Sequence, residues 1–357
     1  MTAPAPVDAD PPTDRPKADR RPSQPRDGER VASERRLPIV RAAGLTKEYG
    51  GYRAVDEVDL ELTAGSIVGL IGPSGCGKTT LMRMLIGVTH PTSGELDVLG
   101  RPPADFTSAE RQAYGYMPQT PVLFPNLTLS ANLHFMASMY GIALGARRRR
   151  LKALLEFVDL WPHRSKRLSE CSSGMQRRLA LAATLVHDPD LLFLDEPTAG
   201  IDPILRERFW TQFRALRDDG RTLLVSTQYV GEAVSCDLVA VMSDGRLVAA
   251  RTPHDLARDA FGGDIVEIET SGTWLPPHEL ARIADQPYVS GVRRAGESTV
   301  SVVVDDAATD LERLRSLLAE HTDAVARVEA VPPTYDEVFV AIVERDRAAR
   351  AAAERAG

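Results

Sequence analysis

At 357 residues the chain exceeds one typical domain and can bury a substantial core. Its 43 Lys plus Arg against 50 Asp plus Glu give a net charge of -7, which removes any general electrostatic drive toward nucleic acid, so no such partner is expected. Cys76, Cys171 and Cys236 are scattered without metal-ligand spacing and fit a reducing compartment, and no run approaches the roughly 18 to 20 apolar residues that cross a bilayer.

Residues 1–36 are rich in Pro, Asp and Arg and nearly devoid of large apolar residues, the composition of a disordered tail. Arg20-Arg21 is followed by no apolar stretch, so it does not read as an export signal. From 37 to 251, short apolar strands alternate with amphipathic helical stretches, which predicts an α/β domain with a mainly parallel sheet. Early in it the apolar run Ile67–Ile71 leads through Gly72, Pro73, Ser74, Gly75, Cys76, Gly77, Lys78, Thr79 and Thr80 into the helical pattern Leu81–Ile86. Strand, glycine turn and helix match the phosphate-loop pattern G-x-x-x-x-G-K-[ST], whose backbone N–H groups close around phosphate oxygens at a helix N-terminus. Lys78 then reaches the β- and γ-phosphates, Thr79 supplies a hydroxyl to Mg²⁺, and Thr80 adds a phosphate contact. A plain glycine turn before an ordinary helix is the competing explanation, and the setting disfavours it.

Residues 120–185 differ: Leu127–Tyr140 and Leu151–Leu160 read as helices with no strand between them, a helical insertion. The basic run Arg147–Arg150 within it reads as a solvated helix face or loop. Cys171-Ser172-Ser173-Gly174-Met175-Gln176-Arg177-Arg178 opens the alanine-rich stretch Leu179–Val186. Serine and glycine at a helix start offer backbone donors to an anion, although a simple N-cap reads the same. Leu191–Leu194 is a strand ending in Asp195 and Glu196. After a phosphate loop, Asp195 suits Mg²⁺, and Glu196 suits orienting and deprotonating the water that attacks the γ-phosphate.

Residues 252–263 read as a linker, and 264–345 as a small α+β domain. Strand Ile265–Thr270, helix Pro277–Asp285, strands Tyr288–Arg293 and Thr299–Val304, a helix faced by Leu311, Leu314, Leu317 and Leu318, and strand Val325–Val331 follow in order. That β-α-β-β-α-β succession is ferredoxin-like. A final helix, about Tyr335–Ala352, becomes Arg- and Ala-rich and is expected to fray over 346–357.

The order of phosphate loop, serine–glycine helix start and strand-end acid pair resembles the ATP-binding cassette (ABC) ATPases, whose signature reads L-S-G-G-Q. The resemblance covers roughly 38–251 and implies a P-loop ABC ATPase fold, a mixed sheet core with a helical subdomain at about 120–185. By position, it makes Tyr49 the ring that stacks on adenine, with Tyr52 the weaker candidate. It makes Gln119, in Tyr116-Met-Pro-Gln119, the Q-loop residue that reaches Mg²⁺, and Asp202 the D-loop aspartate at a dimer seam. Ser172 and Gly174 would touch the γ-phosphate held by the opposite subunit, so that two ATP lie between two cassettes, as a homodimer or with a paralogous cassette.

Two positions depart from the family pattern: Ser173 replaces the first signature glycine, and Gln228 replaces the switch histidine. A glutamine amide still donates a hydrogen bond to a γ-phosphate but cannot become cationic. Thr227-Gln228-Tyr229 with Glu232-Ala233, together with the Ser-Ser-Gly-Met signature, is similar to the daunorubicin-resistance exporter branch. Pro333-Thr334-Tyr335-Asp336-Glu337-Val338-Phe339 resembles the closing motif of that branch's C-terminal domain, though a capped helix start reads alike. The resemblance implies an ATP-hydrolysing subunit at the cytoplasmic face of the membrane, driving export of a drug, lipid or glycan. The separate polytopic permease would lie near Phe124, Pro125 and Leu127. The alternatives are a soluble non-transport ABC ATPase, a regulatory protein of low turnover, and an importer ATPase.

Overall fold

Two long strands, β1 (Pro38–Tyr49) and β2 (Tyr52–Thr63), form a hairpin closed by Gly50 and Gly51, both at positive φ. In β2, Val58, Leu60 and Leu62 are buried alternately with exposed neighbours, the mark of a sheet with one wet face. These strands belong to a computed structural model that describes residues 38–271, 275–296, 298–319 and 325–356; the tail expected over 1–36, with Arg20 and Arg21, lies outside the described residues. β3 (Ile67–Ile71) is buried at every position and so needs cover on both faces; α1 (Lys78–Leu85) follows it. β4 (Ser93–Val98) pairs antiparallel with β1 to complete a three-stranded sheet of order β2-β1-β4.

β5 (Tyr114–Met117) precedes three helices, α2 (Leu129–Met139), α3 (Leu144–Phe157) and α4 (Ser173–Thr184), and no strand intervenes before β6 (Leu191–Asp195). This is the helical insertion read from the sequence. Its second helix starts at Leu144 rather than Leu151, so the basic run Arg147–Arg150 is helical, and two of its members are not simply solvated. Arg147 donates to Ile142 O at 2.6 Å, and Arg150 to Leu185 O at 2.6 Å and Asp188 Oδ1 at 2.8 Å.

α5 (Pro203–Asp218), β7 (Thr222–Thr227), β8 (Leu238–Ser243) and β9 (Arg246–Arg251) complete a six-stranded sheet of order β5-β6-β7-β3-β8-β9. Its pairings are parallel except β8 with β9. The register sets Ile71 opposite Thr227 and Asp195 opposite Ser226, so the carboxyl ends of β3, β6 and β7 form one edge. In open α/β sheets that edge is where ligands bind.

The stretch 252–263 is not a linker: most of it is helix α6 (Pro253–Phe261), capped by Thr252 Oγ1 accepting from Asp255 N and ended by Gly262 at φ 81. Thr252 before it, Pro253 as its first residue and Gly262-Gly263 after it carried that signal. β10 (Asp264–Thr270), α7 (Pro277–Ala284), β11 (Val289–Arg294), β12 (Thr299–Val304), α8 (Ala307–Leu318) and β13 (Val325–Ala330) then form the small α+β unit. Its antiparallel sheet has the order β11-β12-β10-β13, the ferredoxin-like arrangement.

The last helix, α9 (Tyr335–Ala356), departs from expectation. Its buried Val338, Ile342 and Val343 join the core of Phe209, Trp210 and Phe213, not that of Val266, Ile268 and Leu314. An apolar i, i+4 stripe must be covered by something, and here the unit built on the six-stranded sheet covers it. Where fraying was expected, α9 continues, with Arg347 and Arg350 within 3.4 and 3.3 Å of Asp244 Oδ2.

Candidate functional site

At the end of β3 the chain turns tightly, and two glycines are required there by close backbone approach. A Cβ on Gly72 would lie 2.2 Å from Met242 O, and one on Gly77, at φ 108, would lie 2.3 Å from Ala54 O. Gly77 is the N-cap of α1 and no side chain caps it, so first-turn N–H groups face outward as anion donors. Lys78 is 4% exposed; its Nζ donates to Gly72 O at 2.7 Å and Pro73 O at 3.0 Å, and stands 4.0 Å from Glu196 Oε1. Burial pushes the Cys76 thiol up, which keeps this loop residue neutral.

Across the edge, Asp195 is fully buried at the end of β6. Its Oδ1 accepts from Ser226 Oγ at 2.6 Å, while Oδ2 is buried with no hydrogen-bond partner. Glu196 follows at φ 47, a left-handed backbone uncommon for a non-glycine residue, and its N–H donates to Ser226 Oγ at 2.9 Å. Its Oε2 accepts from Gln119 Nε2 at 2.8 Å.

Arg177, on α4, fastens this pair: Nη1 donates to Gln119 O at 2.8 Å and Glu196 O at 3.2 Å. Burial pushes its guanidinium down, opposed by the charges of Glu196 and Asp195. Sequence reasoning missed Arg177 and Ser226. Arg177 is one of two adjacent arginines, and its neighbour Arg178 instead bonds Val158 O and Asp159 O, a difference the sequence does not display.

Lys78, Gln119, Asp195 and Glu196 therefore converge. Gln228 follows Thr227, whose carbonyl accepts from Gly72 N at 3.4 Å, and its own side chain is exposed. Tyr49 and Tyr52 face each other across the hairpin end, both exposed, with Lys47 Nζ 5.0 Å from the Tyr49 ring. Thr79 and Thr80 lie half-buried in the first turn of α1.

The signature residues sit elsewhere. Ser172 caps α4 by accepting from Met175 N at 3.3 Å, and Asp202 caps α5 by accepting from Leu205 N at 2.9 Å. Ser172, Ser173, Gly174 and Asp202 line one open recess of about 420 Å³ to which the loop Gly72–Thr80 contributes nothing. Among the described residues no helix is long and apolar enough to cross a membrane, and no cluster of three or more His, Cys, Asp or Glu could hold a metal alone.

A family model described as ABC transporter matches residues 55–199. The Nod factor export ATP-binding protein I of Rhizobium etli is 33% identical over 324 residues, spanning 90% of this chain and 99% of that protein. Its namesake in Ralstonia nicotianae is 34% identical over 310 residues, 87% of this chain and 95% of the relative. The probable multidrug ABC transporter ATP-binding protein YbhF of Escherichia coli is 39% identical over 218 residues, 61% of this chain but 38% of YbhF. Among solved structures, an ATP-binding subunit of an ABC transporter aligns with TM-score 0.57 and 29% identity over 63% of this chain and 93% of that one. A dimeric ATP-binding cassette in a post-hydrolysis state with ADP and Pi aligns with TM-score 0.55 and 26% identity over 60% and 98%. With a relative at 33% identity matched almost end to end, the chain belongs to the ABC transporter family as an ATP-binding, ATP-hydrolysing subunit.

Proposed function

We propose that two copies of this chain, or this chain and a paralogous cassette, close head to tail on two MgATP at the cytoplasmic face of a membrane, and that hydrolysis drives export through a separate polytopic permease. The observation that carries the reading is Asp195 Oδ2, buried without a proton donor beside the cluster of Lys78, Gln119 and Glu196. A buried carboxylate oxygen in that position is costly unless something binds it, which fits a cation-facing ligand. Mg²⁺ would be held by the Thr79 hydroxyl, Asp195 and the amide oxygen of Gln119, and when bound offsets charge on the β- and γ-phosphates.

The remaining roles fall to the chain. Backbone N–H groups from Gly72 to Thr80 cradle the phosphates, Lys78 adds a buried positive charge, and Tyr49, with Tyr52 beside it, stacks on adenine. Glu196, aimed by the Gln119 amide, orients the attacking water and takes its proton. Gln228 donates to the γ-phosphate. Ser172, Ser173 and Gly174 complete the partner's site, with Asp202 at the seam; a recess lined by these four and by none of the chain's own phosphate loop supports that division.

Export is supported by the relatives named for Nod factor export and for multidrug transport. A permease contact beside Gln119 is supported by Phe124, 42% exposed, lying edge-on to Phe135 with ring centroids 4.6 Å apart, and by Val122, 78% exposed. The buried Asn132 holds Phe124 by both backbone groups, at 2.8 and 3.1 Å. For Glu196→Gln the reading expects retained ATP binding with hydrolysis reduced by about 10² or more. Near-normal turnover would remove Glu196 from the base role. Purification of the full chain from membranes should bring down a polytopic protein that stimulates its ATPase, and stimulation by no membrane fraction would sink the transport reading.

A further inference from the structure

Among the described residues no hydrogen bond holds the side chain of Gln228; the segment after it is held by Tyr229 N donating to Thr227 Oγ1 at 3.0 Å, by the buried Ala233, and, from α5, by one guanidinium. Arg206 Cζ lies 4.0 Å from the ring of Tyr229, the residue next to Gln228, and Arg206 Nε lies 3.4 Å from Glu232 Oε1. Glu232 belongs to the 3-10 turn Val230–Ser235; its side chain is 4% exposed, and neither of its oxygens has a hydrogen-bond partner. Removing the guanidinium would leave a buried carboxylate without its cation.

The other end of this link lies on α5. Arg206 N donates to Asp202 O at 2.9 Å, one turn after the residue that caps the helix and lines the signature recess. The start of α5 therefore places its cap Asp202 in that recess and, a turn later, a planar cation over the ring of Tyr229, next to Gln228.

We infer that Arg206 is a positioning residue for Gln228: by stacking on Tyr229 and pairing with Glu232, it locks the segment after β7 to α5 and aims the Gln228 amide. The inference rests on the reading of Gln228 as γ-phosphate sensor. An amide offers directional donors and no net charge, so its contribution depends on aim more than a cationic imidazole's would. Because α5 begins at the proposed seam, closure of the partner against Asp202 and alignment of Gln228 become one event.

The test uses the full chain and steady-state ATP hydrolysis, with binding of a non-hydrolysable ATP analogue measured in parallel. Arg206→Lys keeps a positive charge for Glu232 but loses the planar face, and Tyr229→Leu removes the ring without stranding a charge. Each should lower kcat by about 3- to 10-fold while analogue affinity and melting temperature stay at wild-type values. Arg206→Lys placed in a Gln228→Ala background should lower kcat no further, since the group it aims is gone. Two outcomes overturn the inference while leaving Gln228 as sensor: an unchanged kcat in both single variants, or an Arg206→Lys effect that persists in full without Gln228. If Gln228→Ala alone leaves kcat unchanged, the sensor reading fails and takes the inference with it.

Discussion

Gln119 and Glu196, 77 positions apart, are joined by a 2.8 Å hydrogen bond in which the amide Nε2 donates to carboxylate Oε2. Arg177 ties the backbone carbonyls of the same two residues together. The helical insertion, through Arg177 on α4, thus meets the sheet edge at the residue whose amide bonds the Glu196 carboxylate. Gln119→Ala should lower kcat by about tenfold, less than Glu196→Gln, because the carboxylate survives but loses its aim. Single-turnover hydrolysis at saturating ATP checks this, and a wild-type rate would detach Gln119 from the chemistry.

Ser226 is the hub beneath the acid pair, donating to Asp195 Oδ1 and accepting from Glu196 N. Ser226→Ala leaves the buried Asp195 carboxylate with no donor. We expect a loss of about 1–3 kcal/mol in unfolding free energy, partly recovered when Mg²⁺ and nucleotide are added. Denaturant titration with and without MgATP analogue reads both.

Gly77→Ala combines a left-handed backbone with a Cβ 2.3 Å from Ala54 O. Strain of about 1–3 kcal/mol should distort the loop and abolish nucleotide binding. Gly75, also at positive φ but with nothing near its Cβ, should tolerate alanine better. Equal loss of nucleotide affinity in the two variants would contradict the packing argument.

His187 stacks on Tyr140 with centroids 3.8 Å apart, its Nε2 lies 2.9 Å from Tyr114 O, and Nδ1 is buried without a partner. Burial pushes its pKa below the ordinary value of 6.5, the bond to Tyr114 opposing. The folded state therefore favours the neutral ring. Its contribution is complete above the unfolded value of about 6.5 and is lost as pH falls from there through the depressed folded value. His187→Gln should flatten that acid limb of a stability–pH curve, and an unchanged limb would assign the sensitivity elsewhere.

Ile342 on α9 is 3% exposed within the ATPase core. Ile342→Ala should cost about 2–5 kcal/mol, and the loss should appear in the unfolding of the nucleotide-binding unit. Lowered protection confined to amides of β10 to β13 in hydrogen exchange would instead return α9 to the small sheet.

The sequence by itself determined whatever is local. Gly72–Thr80 announces its turn because the glycines and the lysine are contiguous. Asp195 and Glu196 announce a strand end because apolar residues stop there. The β-α-β-β-α-β order of the small unit follows from period changes alone, and its observed strand order agrees. Tertiary structure decided the rest. Ser226 reaches Asp195, and Arg177 reaches Gln119, only because strand order and helix docking bring distant segments together. An apolar stripe such as Val338 and Ile342 states that it will be covered, but not by which core, because burial is non-directional. Tertiary placement likewise separates the signature from the phosphate loop. Ser172 to Gly174 read as anion donors in the sequence, while the position of α4 sets them in a recess apart from Gly72–Thr80.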